Sequence, residues 1–172
     1  MTHPHSKLAA QARLATPLGT MTAAATASGL AGLWFDGQAH HPGPLDAPEQ
    51  PAHPALRAAA AALAAYFDGA AEPLAGLPLD LHGTPFQRAV WQALLAIPAG
   101  RTSTYGAIAA QAGNAAAVRA AGAAIGRNPV SILVPCHRVL GRDGSLTGYA
   151  GGLPRKQALL QLESAQQAMI GA

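Results

Sequence analysis

The segment EPLAGLPLDLHG, residues 72–83, sets the limits on what this chain can become: it reads as an extended connector, and so as the boundary between two lobes, 1–81 and 82–172. The two sides carry different patterns. Before the connector lie short apolar runs around turn residues and then one helix, whereas after it the periodicity is mostly helical. With 172 residues, half of them apolar, the chain suffices for one ordinary domain or two small ones packed together. The expected fold class is α/β (α+β), with a small N-terminal lobe of sheet and helix packed on a mostly helical C-terminal lobe.

In the first lobe, GTMTAAATASGLAGLWFD predicts a hairpin of two strands around Ser28-Gly29, with Leu30, Leu33, Trp34 and Phe35 as its apolar payload. HHPGPLDAPEQPAHP, residues 40–54, is rich in proline, which removes backbone donors and keeps the preceding residue out of the helical region, so it reads as a surface loop. Its histidines, His40, His41 and His53, are not read as metal ligands, because a metal site needs ligands held together on rigid elements. A helix over PALRAAAAALAAYFDG follows and ends at Gly69.

GTPFQRAVWQALLAIPAG opens the second lobe. Thr84 can cap a helix, Pro85 suits its first position and Gln87 completes a capping box. Phe86, Val90, Leu94 and Ile97 recur at helical spacing as a core stripe, with Trp91 beside it. TSTYGAIAAQAG predicts a second short helix, begun by Thr104 and closed by Gly113, and NAAAVRAAGAAIGRNP a third, stopped by Gly126 and Pro129. The pair joined at Gly113-Asn114 resembles a helix-turn-helix. The third helix is nearly all alanine and glycine, with Arg119 as its long polar side chain. A helix that reads the major groove carries several Arg, Asn or Gln residues. This one suits either close approach into a narrow groove, with Arg119 inserted where a base has left the stack, or burial with the arginine snorkelling to the surface.

The single cysteine, Cys136, stands in NPVSILVPCHRVLGRDG. SILV reads as a buried strand ended by Pro135, which would bring the cysteine out at a strand end. The thiolate is the nucleophile, so a reactive cysteine needs a base or a positive field to lower its pKa from the free value of about 8.5. His137 is adjacent, and since chain neighbours seldom touch, a water would carry the proton between them. That imidazole would need a carboxylate to orient it. The second lobe offers Asp143, in the exposed turn sequence GRDGS, and Glu163, on the apolar stripe of LPRKQALLQLESAQQAMI one turn after Leu159. Glu163 is the better candidate. His137 and nearby arginines are expected to hold the thiol below its free pKa. The bland alternative is a small buried hydrophobe beside an unrelated histidine.

Charge divides as the patterns do. Three basic residues stand against six acidic ones before residue 82, and eight basic against two acidic after it. The basic half points to a polyanion such as nucleic acid or to a merely solvated face. One cysteine excludes an internal disulfide framework and a cysteine-clustered zinc site, and suits the reducing cytoplasm. MTHPHSKLAAQARLATPLG lacks the pattern of a secretory signal, and no apolar run approaches the ~20 residues of a bilayer span, so no membrane partner is expected.

PCHRV, with GTPFQRAVWQALLAIPAGRTSTYGAIA before it and GYAGGLPRKQALLQLE after it, closely resembles the O6-alkylguanine-DNA alkyltransferases, also called methylated-DNA–protein-cysteine methyltransferases. The resemblance runs over residues 83–163, and TPLG, GLAGLWF and LAAYFDG are similar to that family's N-terminal lobe. It implies a ribonuclease H-like first lobe and a winged-helix-like second one. It also implies direct DNA repair: O6-alkylguanine, and O4-alkylthymine, is flipped out of double-stranded DNA and the alkyl group passes to the cysteine, once per molecule, in a monomer without cofactor or metal. Carried over by position, Cys136 is the nucleophile, His137 the base acting through water and Glu163 the residue holding the histidine. Tyr105 donates its hydroxyl to N3 of the base, so that guanine leaves neutral. Arg119 fills the gap in the stack as its helix enters the minor groove. Asn128 ties the helix-turn-helix to the cysteine loop. The carbonyls of Cys136 and Val139 accept from the guanine amino group, and the Ala150 amide, beside Tyr149 and Gly151, donates to O6. Arg138 of the same motif falls in the DNA- and substrate-binding set.

With one cysteine, the zinc site and second cysteine domain of some relatives are not possible, and Ala150 stands where others carry serine, which reshapes the pocket. Two other readings compete. A non-catalytic helix-turn-helix regulator or alkyl-lesion sensor would leave Cys136 unmodified, and a cysteine hydrolase would recover its thiol each turnover, although nothing in the sequence supplies an acyl pocket.

Overall fold

The computed structural model describes residues 7–70, 74 and 76–170, so parts of the N-terminal stretch and of the connector at 72–83 lie outside the described residues. The chain divides into two compact units: Met1–His82 with Pro129–Leu133, and Gly83–Asn128 with Val134–Ala172.

The first unit is built on an antiparallel sheet in the order β1 (Ala10–Thr16), β2 (Gly19–Thr26), β3 (Gly29–Phe35). β2 and β3 form the hairpin expected from the sequence. Met21, Leu30, Leu33 and Phe35 are fully buried. β1 went unread because its run, AQARLAT, has little apolar payload to mark it. The described end of the connector runs along β3: Leu30 N donates to Pro78 O at 2.9 Å, and Asp80 N to Leu30 O at 2.8 Å. That approach demands a glycine beside it, since a Cβ on Gly29 would stand 2.5 Å from the Pro78 carbonyl oxygen. Helix α1 (Pro54–Phe67) buries Leu56, Ala59, Leu63 and Tyr66. The loop histidines hold local backbone: His53 Nδ1 accepts from Ala55 N at the start of α1, and His41 Nδ1 accepts from Gly43 N.

Pro129–Leu133 corrects the expected SILV strand. β3 takes up its start, with Leu33 N donating to Pro129 O at 2.8 Å and Ser131 N to Leu33 O at 2.9 Å. The segment then turns rather than extends. Leu133 N donates to Ser131 O across Ile132, which lies at φ 71°, a left-handed geometry that a β-branched residue enters only under strain. Apolar, β-branched composition signals burial here, while backbone pairing ends after one bridge.

The second unit packs α2 (Pro85–Leu95), α3 (Tyr105–Gln111) and α4 (Val118–Gly126) together, followed by α5 (Leu153–Ile170). Thr84 and Gln87 make the capping box on α2. Val90, Leu94 and Ile97 are buried as its stripe, and Trp91 satisfies its indole by donating to Ala124 O at 2.9 Å. Thr104 caps α3, and Gly113 follows it at φ 97°. α4 begins at Val118, with Ala117 at its N-cap and no side-chain cap hydrogen bond. Short strands β4 (Ser103–Thr104) and β5 (Val139–Leu140) pair in parallel. Among the described residues no helix is long and apolar enough to cross a membrane.

Candidate active site

The cysteine is delivered by turns. Cys136 N donates to Val134 O at 2.8 Å across Pro135, at φ −83° and ψ 62°, an inverse γ-turn, and Cys136–Arg138 then form a single 3-10 turn leading into β5. The neck of this loop is closed by Asn128, whose buried Nδ2 donates to Val134 O at 2.7 Å. Cys136 itself is 5% exposed. Burial pushes its thiol up to about 11, against the lowering effects of an Asn128 hydrogen bond, the Lys156 charge and nearby backbone amides. The expected depressed thiol is therefore corrected: in the free protein desolvation outweighs the local positive field.

His137 is fully buried, with Nε2 2.7 Å from Glu163 Oε1. Burial lowers its pKa, and the Glu163 carboxylate only partly restores it. For Glu163 burial acts in the opposite direction, raising the carboxyl, but hydrogen bonds from His137 and Arg138 prevail and hold it at about 2. An ionised carboxylate can only accept, so His137 carries its proton on Nε2, and Nδ1 is the basic nitrogen.

Arg138 completes this network. Its Nε donates to Glu163 Oε2 at 2.9 Å, Nη2 to Oε1 at 2.9 Å and Nη1 to Ile97 O at 2.6 Å. Its guanidinium donates to these three acceptors in a buried setting, so Arg138, expected in the DNA- and substrate-binding set, anchors Glu163.

The other predicted residues fall into two groups. Tyr105, the first residue of α3, meets the loop before α5: Thr147 Oγ1 donates to the Tyr105 hydroxyl at 3.1 Å, and that hydroxyl lies 3.4 Å from Thr147 O. Half-buried Tyr149 and Ala150 and buried Gly151 continue the same loop. Val139 sits at the other side of the cysteine turn, and its carbonyl accepts from Lys156 Nζ at 2.6 Å. Arg119 stands apart, exposed on the first turn of α4. Asp143 is exposed and accepts from Ser145 N in its own turn, away from the histidine's network.

Sequence reasoning passed over Lys156 and Thr147. Lys156 is fully buried and donates to the carbonyls of Val139, Thr147 and Gly148. A signal was present: Lys156, Leu159 and Glu163 fall at i, i+3 and i+7, one face of α5, so a helix that points Glu163 inward points Lys156 inward as well.

Family models agree on both halves of the chain. Residues 11–81 match the ribonuclease-like domain, and residues 85–165 the DNA-binding domain, of 6-O-methylguanine DNA methyltransferase. A methylated-DNA–protein-cysteine methyltransferase of Mycobacterium tuberculosis is 46% identical over 151 residues, 88% of this chain and 90% of that protein. One from Salmonella typhimurium is 58% identical over 101 residues, covering 59% of each chain. The crystal structure of M. tuberculosis OGT in complex with DNA superposes with a TM-score of 0.83 at 44% identity, covering 91% of this chain and 94% of that one.

Proposed function

The chain belongs to the 6-O-methylguanine DNA methyltransferase family, and from that premise we propose that it repairs alkylated DNA by moving the alkyl group to its own Cys136. The supporting observation is the buried relay beside the lone cysteine: His137 Nε2 stands 2.7 Å from a Glu163 carboxylate that Arg138 holds on both oxygens.

In this reading the thiol proton passes through a water to His137 Nδ1, and Glu163 stabilises the imidazolium that forms. The thiolate sulfur attacks the alkyl carbon, the carbon–oxygen bond at O6 breaks, and its electron pair enters the purine. Tyr105 supplies a proton at N3 so that guanine leaves neutral. The thioether left on Cys136 has no leaving group, so each molecule acts once. A buried thiol near pKa 11 fits this economy, because it is inert towards water-borne electrophiles until a base enters.

The rest of the site follows the same reading. Arg119 fills the space of the flipped base from the minor groove, against an extrusion cost of a few kcal/mol. The Cys136 and Val139 carbonyls take the amino group, the Ala150 amide donates to O6 beside Tyr149 and Gly151, and Asn128 keeps the cysteine turn in register. O4-alkylthymine is a second substrate. The protein works as a cytoplasmic monomer.

Intact-mass analysis after incubation with duplex DNA carrying O6-methylguanine tests the reading. One methylene of added mass, mapped to Cys136, absent in Cys136→Ser and never exceeding one event per molecule, is expected. An unmodified wild-type cysteine would return the chain to a DNA-binding regulator.

A further inference from the structure

Lys156 presents a buried charge that the reaction scheme above does not use. Its three ammonium protons are matched by three carbonyl oxygens: Val139 at 2.6 Å, Thr147 at 2.7 Å and Gly148 at 3.2 Å. A buried ammonium persists only where such partners replace water. The partners come from two separate stretches of chain. Val139 directly follows the Cys136–Arg138 turn, whereas Thr147 and Gly148 open the loop that continues through Tyr149, Ala150 and Gly151. Thr147 also meets Tyr105. One cation thus fastens the nucleophile's turn to the loop assigned to the base.

We propose that Lys156 is a positioning residue for alkyl transfer: its ammonium sets the spacing between the cysteine turn and the Thr147–Gly151 loop, and with it the geometry in which a flipped base meets the sulfur. This rests on the function proposed above. A lysine suits the task because one compact atom offers three donors in a cone; glutamine offers two, and arginine's donors lie in a rigid plane. The Val139 carbonyl keeps a second lone pair for the guanine amino group while the ammonium occupies the first. Burial lowers the pKa of Lys156 and the Cys136 sulfur only partly restores it, while the lysine charge in turn favours the thiolate of Cys136.

The test compares full-length wild type with Lys156→Met, which keeps the length of the side chain without donors or charge, and with Lys156→Arg. Three quantities are read: the rate of methyl transfer from duplex O6-methylguanine DNA, the Kd for unmodified duplex, and the rate of Cys136 alkylation by iodoacetamide as pH rises towards about 11. Misplacing reacting groups by about 1 Å costs ~10²-fold, so Lys156→Met should transfer about 10²-fold more slowly while its Kd for duplex stays within about twofold. Its iodoacetamide reaction should persist with the midpoint moved to higher pH. Lys156→Arg should keep the midpoint near that of wild type yet still transfer slowly. Transfer by folded Lys156→Met within about twofold of wild type would overturn the proposal. Should neither variant fold, the wild type decides by NMR: the Lys156 ammonium signal should shift with lesion-bearing duplex and stay still with unmodified duplex, and an equal response to both would overturn it. Absence of methyl transfer in the wild type would instead strike the proposed function.

Discussion

Cys136 and Arg138 show how far a residue's setting can reverse what its identity suggests. A lone cysteine beside a histidine reads as an activated thiol, yet burial holds it near 11, so the proposed transfer requires a base that takes up the thiol proton. Arg138, placed by its motif in the DNA- and substrate-binding set, spends donors on Glu163 and Ile97 O. Arg138→Ala would leave Glu163 uncompensated in the interior and should cost ~3–5 kcal/mol in denaturant unfolding, with the salt dependence of DNA binding unchanged. A shallower salt slope would show that Arg138 also neutralises phosphate. The same network makes stability depend on pH. Glu163 has its folded pKa depressed from 4.5 to about 2, so its contribution is complete above about 4.5 and drains away as pH falls towards 2. His137, also depressed in the fold, has the same sign, and its contribution begins to fall below 6.5. Denaturant unfolding across this range should show stability declining with acidification, most steeply below about 4.5, and Glu163→Gln should remove the steep part. A flat profile would mean that the pair is not coupled to folding.

Elements whose ends are written locally were legible. The capping box of α2 needs only Thr84 and Gln87 three residues apart, and the end of α3 only a glycine able to reach φ 97° at Gly113. The SILV segment failed because its backbone partner, Leu33, is remote in sequence and pairs with it once before Ile132 turns. α4 was recognised, but its role turned on which side chain faces outward. Buried Ala121, Ala124 and Ile125 fill its inner face, and Arg119 is left exposed on the first turn. Small side chains inside and an arginine outside are compatible with both expectations, a helix that approaches a groove and a packed helix whose arginine reaches the surface. For a helix that approaches a groove, Arg119→Ala should slow repair of O6-methylguanine in duplex DNA by about tenfold or more while leaving methyl transfer from the free base within about twofold, since only the duplex requires a base to be extruded. Equal repair of duplex by both proteins would dismiss the intercalating role.

At the scale of the whole chain, charge is segregated: eight of the eleven Lys and Arg residues follow residue 82. Arg138 and Lys156 are buried, so any phosphate contacts fall to the remaining cations of that half. Binding to unmodified duplex should weaken steeply with salt, the logarithm of the affinity falling by about 0.9 for each phosphate neutralised. Affinity indifferent to salt would leave the basic half as a solvated face.

Periodicity and caps, carried by neighbours in the chain, were enough to establish the helices and the hairpin, and the inward stripe of α5 was enough to single out Glu163 as the partner of His137, a contact the structure shows at 2.7 Å. Other features depend on atoms brought together from distant positions. Only the tertiary structure decided that Pro129–Leu133 joins the first unit, that the thiol is desolvated, that Arg138 serves Glu163, and that Lys156 binds two loops. Burial and long-range hydrogen bonds set those outcomes, because the cost of a buried charge or an unpaired carbonyl is determined by whatever the fold places beside it.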